Sequence, residues 1–263
     1  MSLPLAPPIA EGRTAEVYAW DAGHVLKLYR EWCPPDWVEH EGRVAHAVTE
    51  ANIPTPAAGE IVEVNGRRGL VYERVSGSSM LEDLNRHPWL MFRHARALAE
   101  LHVPVNRLSI PGLPSCKGGL GHAIRNAPAL PDDLRQRALL ALEKLPEGHS
   151  LCHGDFHPGN VLLTAQGPIV LDWMTAKSGS PWADLARSSL LLTIGPKGAG
   201  NMISPALRLA IGLFHRLYLN RYQAIAPDEG GELGRWKAVT AAGRLAEQIE
   251  PEREALIEIV RIG

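Results

Sequence analysis

The chain has 263 residues, 45% of them apolar, with 27 Lys and Arg against 29 Asp and Glu, for a net charge of −2. That length accommodates one large or two modest domains around a packed core, and the lack of a basic block argues against nucleic acid as an obligate partner. Met1-Ser2-Leu3-Pro4 has neither a basic start nor a long apolar core, and no apolar run approaches the ~18 residues of a membrane span, so a soluble, cytoplasmic protein is expected.

Taken in chain order, residues 14–30 read as a hairpin turning at Asp21-Ala22-Gly23. Just before it, Glu11-Gly12-Arg13-Thr14-Ala15 offers a single glycine; the backbone N–H groups from Gly12 through Thr14 to Ala15 cradle phosphate if the turn is tight, and an ordinary hairpin turn is the other reading. In His24-Val25-Leu26-Lys27-Leu28-Tyr29, strand alternation places Lys27 on the face opposite Leu26 and Leu28. Pro34-Pro35-Asp36 then starts a helix over 35–50, with Trp37, Val44 and Val48 as its apolar stripe. Glu41 lies on that stripe, where a carboxylate is costly unless paired, and Lys27 is its natural partner. Glu39, the competing acid, points away from it.

Two strands flank Asn65-Gly66, a strong hairpin signal, and Tyr72-Glu73-Arg74-Val75 leads into Ser76-Gly77-Ser78-Ser79, read as a flexible run. Beyond it, 88–102 is predicted helical and 104–116 a Pro-containing connector. Segments 131–145, 182–193, 203–223, 232–248 and 251–261 also carry helical patterning. Cys33, Cys116 and Cys152 are irregularly spaced, which suits a reducing compartment, and none has a partner motif; Cys152 is expected to be buried rather than reactive.

Within this helical region, 151–173 is different. His153-Gly154-Asp155-Phe156-His157-Pro158-Gly159-Asn160 is followed, after a short hairpin, by Ile169-Val170-Leu171-Asp172-Trp173, so two acids and an amide are set into apolar strand-like runs. The spacing of Asp155 and Asn160 is that of the protein-kinase catalytic loop, and Asp172 stands where a metal-binding acid follows. These residues resemble the aminoglycoside phosphotransferase and related small-molecule kinase family, with its H-G-D-x-H-x-x-N and later D-W or D-F.

The resemblance implies a two-lobed, protein-kinase-like α+β fold: an N-terminal nucleotide-binding lobe at 1–75 with a small antiparallel sheet and one helix, a hinge at 76–79, and a mostly helical catalytic and substrate-binding lobe at 80–263. It implies ATP or GTP as phosphoryl donor with Mg²⁺, Asp155 as base, Asn160 and Asp172 as metal ligands, Lys27 on the phosphates with Glu41 positioning it, and backbone groups of Glu73 to Val75 on adenine. By similarity His157 replaces a catalytic-loop lysine and touches the γ-phosphate; a loop-stabilising hydrogen bond is an equal reading. Asp184, near a helix start, is expected to brace the loop backbone.

The acceptor is expected to be a hydroxyl of a small molecule, since the short stretch from Asp172 to Asp184 leaves little room for a long activation segment. Acids and bases nearly balance over 181–263, Asp228, Glu229 and Glu232 being the only tight acidic cluster before the last helix, so no polycation site is evident. Trp89, Trp182, Trp236, Tyr218 and Tyr222 fit a pocket or a core equally. Two other classes stay open: a nucleotide-binding pseudokinase acting as a regulatory module, supported by the poor glycine loop, and a metallophosphoesterase using His153, Asp155 and His157 as ligands. Oligomeric state is not specified by the sequence.

Overall fold

A computed structural model describes residues 7–198 and 204–263. The chain divides into two compact units, one running to Met80 and resuming at Gly159–Thr175, the other comprising Leu81–Pro158 and Ala176–Gly263.

The first unit is built on an antiparallel sheet of β1 (Ala10–Glu11), β2 (Ala15–Ala19), β3 (His24–Tyr29), β4 (Ala58–Val64) and β5 (Arg67–Glu73), in the order β1-β2-β3-β5-β4. The two expected hairpins form, and Asn65 and Gly66 both take positive φ, 52° and 77°, as the tight β4–β5 turn requires. Alternation in β3 buries Leu26 and Leu28 in a cluster with Tyr18, Val64 and Val71 on one face of the sheet. Helix α1 (Pro35–Glu50) packs on the sheet through Val38, Glu41, Gly42, Val44, Ala45 and Val48. Trp37 is only half-buried and packs edge-on against Trp32, so the stripe begins one residue later than expected, at Val38, which shares a face with Glu41, Ala45 and Val48.

The second sheet of this unit is β6 (Ser78–Ser79), β8 (Val161–Thr164) and β9 (Gly167–Val170). Ser78 and Ser79 pair with Leu163 and Leu162, which corrects the flexible reading of that run. The physical reason lies at Gly77: a side chain there would overlap the Leu163 carbonyl, so glycine is what lets the strand approach.

The second unit takes up α2 (Met80–Arg86) from Leu81 onward and continues with α3 (Met91–Arg107), α4 (Cys116–Arg125), α5 (Asp132–Lys144), β7 (Ser150–Cys152), β10 (Lys177–Gly179), α6 (Pro181–Thr193), the single turn α7 (Gly195–Gly198), α8 (Pro205–Ile225), α9 (Glu232–Arg244) and α10 (Arg253–Ile262). The expected start of the fourth helical segment, Ile203, lies outside the described residues. Helix α3 runs through Pro104, where a connector is expected from the sequence; Val103, Val105 and Asn106 are buried beyond the break, and their packing outweighs the lost N–H. The core joins Ile124, Leu142, Leu190, Trp236, Val239 and Leu256 from five helices. Each such large side chain contributes about 1.5–3 kcal/mol by leaving water.

Candidate active site

In the first unit, Lys27 Nζ donates to both oxygens of Glu41 at 2.8 Å and to Asp172 Oδ1 at 2.9 Å. Burial alone would lower the lysine's pKa, but the adjacent Glu41 and Asp172 carboxylates reverse this and hold the ammonium firmly protonated. The Glu41 side chain is 1% exposed and receives two further hydrogen bonds, from the hydroxyls of Tyr72 (2.8 Å) and Tyr29. Tyr29 follows Lys27 by two residues and so shares its face of β3, a signal that alternation in the sequence already carries. Glu39 points outward to Arg68.

Asn160 and Asp172 are brought together by the β8–β9 hairpin. Val161 pairs with Val170, so the residues just outside that pair become neighbours, and the Leu171 N–H donates to the Asn160 carbonyl at 2.9 Å. Asp172 has φ of 63°, a left-handed conformation that Asp tolerates better than most residues at a cost of roughly 1–2 kcal/mol. The next residue, Trp173, is buried, and its indole N–H donates to Thr55 Oγ1 at 3.0 Å. Thr55 Oγ1 in turn donates to the Val170 carbonyl, while the Val170 N–H reaches the Pro54 carbonyl, so the Pro54-Thr55-Pro56 segment straps the hairpin from which Asp172 emerges. An amide oxygen and a partly exposed carboxylate are hard oxygen donors, the chemistry that suits Mg²⁺ shared with phosphate.

In the second unit, β7 delivers the loop carrying Asp155. Asp184 on α6 is buried and accepts the backbone N–H groups of His153 and Gly154, both at 2.8 Å, together with Asn106 Nδ2 and His102 Nε2, both at 2.9 Å. Burial acts to raise the Asp184 pKa, but the His102 ring and these donors bring it down to about 2. Gly154 turns the chain at φ of 80°, and Phe156 anchors the far side by stacking on His102 with ring centres 4.0 Å apart. Arg187 Nε donates to the Gly154 carbonyl at 3.1 Å and its guanidinium pairs with Glu247.

His157 Nε2 lies 3.5 Å from Asp155 Oδ2. Burial would raise the Asp155 pKa, yet His157, with Arg187 and His153 nearby, holds the carboxyl well below the usual carboxylate range. His153 is fully buried, with its Nδ1 beside the Asp155 N–H at 3.2 Å. Among the described residues no group of three or more His, Cys, Asp and Glu side chains is arranged to hold a metal.

The turn from Glu11 to Ala15 is tight, and the Gly12 N–H donates to the Ala15 carbonyl, while the Thr14 carbonyl accepts from Arg30. The Glu73 N–H donates to the Ala57 carbonyl and that of Arg74 to the Gly23 carbonyl, just before Val75. Trp236, Tyr218 and Tyr222 are core residues, whereas Trp89 is exposed. Asp228, three residues before the N-cap Gly231, accepts the N–H groups of Glu232 and Leu233 in the first turn of α9. Arg187, His102, Asn106 and Glu247 carry no motif of their own in the sequence, since each acts through contacts formed between distant helices.

No curated protein matches the sequence. Solved structures do match in fold. A thermostable mutant of aminoglycoside phosphotransferase APH(4)-Ia, in a ternary complex with AMP-PNP and hygromycin B, is 15% identical with a TM-score of 0.67, over 96% of this chain and 92% of that one. A choline/ethanolamine kinase family protein from Mesorhizobium loti is 15% identical, with a TM-score of 0.63 over 99% of this chain and 93% of that one. The amicoumacin kinase hAmiN, in complex with AMP-PNP, Ca²⁺ and Ami, is 14% identical, with a TM-score of 0.65 over 98% and 88%. These likenesses identify the α+β fold, with its antiparallel-sheet lobe and helical lobe, as protein-kinase-like. A family model described as the phosphotransferase enzyme family matches residues 6–208, most of the chain, and the protein belongs to that family.

Proposed function

We propose that the protein transfers the γ-phosphoryl group of ATP or GTP to a hydroxyl of a small molecule, with Mg²⁺. The observation that carries this reading is the grip on Lys27, held between the buried Glu41 and the partly exposed Asp172. A lysine aimed by one carboxylate and sharing a second with a metal is how kinases arrange the α- and β-phosphates beside the cation. Asn160 and Asp172 supply the oxygen donors for Mg²⁺, which would neutralise charge on the phosphates. The N–H groups of Arg13 and Thr14 are the candidates to cradle phosphate, since that of Gly12 is committed to Ala15. Adenine contact falls to Val75 and the Glu73 carbonyl.

Asp155 meets the acceptor hydroxyl. Its strongly depressed pKa makes it a weak base, so its part is to orient the hydroxyl through a hydrogen bond and take the proton late, which suits a loose phosphoryl-transfer transition state. His157, beside it, either steadies that carboxylate or reaches the γ-phosphate. Relatives in complex with AMP-PNP, one of them with Ca²⁺, support a nucleotide donor with a divalent cation.

The test is thermal stabilisation by ATP, GTP and a non-hydrolysable analogue, with and without Mg²⁺, on wild type and Asp172→Ala. Stabilisation that needs both Mg²⁺ and Asp172 is expected. No stabilisation at millimolar nucleotide, or an equal shift in Asp172→Ala, contradicts the assignment.

A further inference from the structure

The second unit brings two of the three cysteines together, although nothing in their spacing announces it. Cys116 is the first residue of α4, half-buried, behind the N-cap Ser115, whose hydroxyl oxygen accepts the Gly118 N–H. Cys152 is the last residue of β7, buried, with its thiol 3.3 Å from the Ser180 carbonyl. Strand β10 lies between their backbones: Ser178 bridges Ser115 on one side and pairs with Leu151 on the other.

Gly179 on that strand is what admits both thiols. A side chain there would place its first carbon 2.5 Å from Cys116 Cβ, 3.5 Å from Cys116 Sγ and 3.3 Å from Cys152 Sγ. Both sulfurs therefore occupy the space above one glycine. The Lys177 ammonium lies over the first turns of α4, 2.8 Å from the position a side chain on Gly119 would take.

The two thiols are unequal partners. The hydrogen bond from Cys152 and then the Lys177 charge lower the Cys116 pKa against burial, at a helix N-terminus that favours a thiolate. The same contact, together with burial, pushes Cys152 well up. Cys152 has one proton, which can go either to the Ser180 carbonyl or to the Cys116 sulfur. A half-buried cysteine with thiolate character beside a buried thiol is the layout of an attacking cysteine and its resolving cysteine.

We propose that Cys116 and Cys152 are a redox pair that closes into a reversible disulfide when a peroxide reaches Cys116, and that this bond slows the catalytic loop one residue beyond Cys152. The Cys116 thiolate attacks one peroxide oxygen, the O–O bond breaks, and a sulfenic acid forms on Cys116 while the departing hydroxide takes up the proton that Cys116 had released and leaves as water. Cys152 sulfur then attacks the Cys116 sulfur; the S–O bond breaks and the leaving hydroxide takes the Cys152 proton as a second water. Two thiols lose two electrons and one peroxide is reduced to two waters, so the step balances.

A disulfide needs its two Cα atoms within about 7 Å of each other, and β10 lies between these backbones, so the bond closes only as the end of β7 moves toward α4 and out of its pairing with β10. His153 and Gly154 follow directly, with their N–H groups fixed on Asp184, and Asp155 comes next. The effect on turnover rests on the kinase reading of Asp155; the disulfide itself does not.

The test uses the full chain, reduced and then exposed to a few equivalents of hydrogen peroxide. Unreduced tryptic digests are expected to yield the Cys116 and Cys152 peptides joined and lighter by two hydrogens, with Cys33 still free. Amide exchange at His153 to Asp155 should change, turnover should fall by about ten- to a hundredfold, the scale of a misplaced catalytic group, and a dithiol should restore both. Cys116→Ser should keep its reduced turnover and lose the response. In Cys152→Ser, the sulfenic acid should persist on Cys116 and be trapped by dimedone. Crosslink and exchange are read without substrate, so failure of the kinase reading leaves them decisive. Oxidation of Cys116 without a crosslink, or a crosslink that changes neither loop exchange nor turnover, overturns the proposal.

Discussion

Asp155 and Glu41 are carboxylates placed for different ends. His157, Arg187 and His153 offset the burial of Asp155 and leave its carboxyl ionised far below neutrality. If it orients the acceptor, Asp155→Asn should reduce kcat by ~10²–10⁴-fold with nucleotide affinity retained, checked by steady-state kinetics and a nucleotide titration. Its depressed pKa also means that no acid limb in kcat should arise from this group above about pH 4, the ordinary range of a carboxyl. Glu41 instead completes a buried network with Lys27, Tyr29 and Tyr72. Glu41→Ala leaves the Lys27 charge buried with only Asp172 and should cost ~3–5 kcal/mol in denaturant unfolding, whereas Tyr72→Phe removes one donor and should cost ~0.5–1.5 kcal/mol. Equal losses for the two variants would contradict the network.

Elements place these groups, and α6 is the one that fixes the loop bearing Asp155. Asp184 projects from its first turn and holds two consecutive loop N–H groups. Because its folded pKa is depressed to about 2, the stability it provides is complete above its unfolded pKa near 4 and is lost as pH falls toward 2. Asp184→Asn should therefore flatten that part of the stability curve and lower stability at neutral pH, which chemical denaturation across pH measures. The Lys27 strand and the helix bearing Glu41 were legible because each rests on local pattern: alternation, a proline helix start, a buried acid in need of a partner. Helices α2 and α4 were not legible. The first is a short segment, and α4 (Lys117-Gly118-Gly119-Leu120-Gly121) carries three glycines that lower helix propensity, overridden by packing on α5 and α9. Pro104 likewise marked a boundary that burial on both sides erased. Arg187 and the Cys116–Cys152 pair depend on contacts that only tertiary structure creates.

At the scale of the whole molecule, each unit has its own core and its own part of the proposed chemistry: Lys27, Asn160 and Asp172 in one, Asp155 and His157 in the other. Among the described residues no helix is long and apolar enough to cross a membrane. Ligand linkage gives a direct expectation. Mg²⁺-nucleotide at a hundredfold its Kd should stabilise the folded chain by about 2.7 kcal/mol, and removing Mg²⁺ with a chelator should abolish most of that gain. The most direct test of the central claim is transfer itself: γ-labelled ATP and GTP incubated with Mg²⁺ and a panel of amino sugars, amino alcohols and ketosamines, comparing wild type with Asp155→Asn. The account predicts label on a hydroxyl of at least one acceptor with wild type, formed at least ~10²-fold more slowly by the variant. Label reaching an acceptor at the same rate in both proteins, or Mg²⁺-nucleotide bound with label passing only to water, would contradict it.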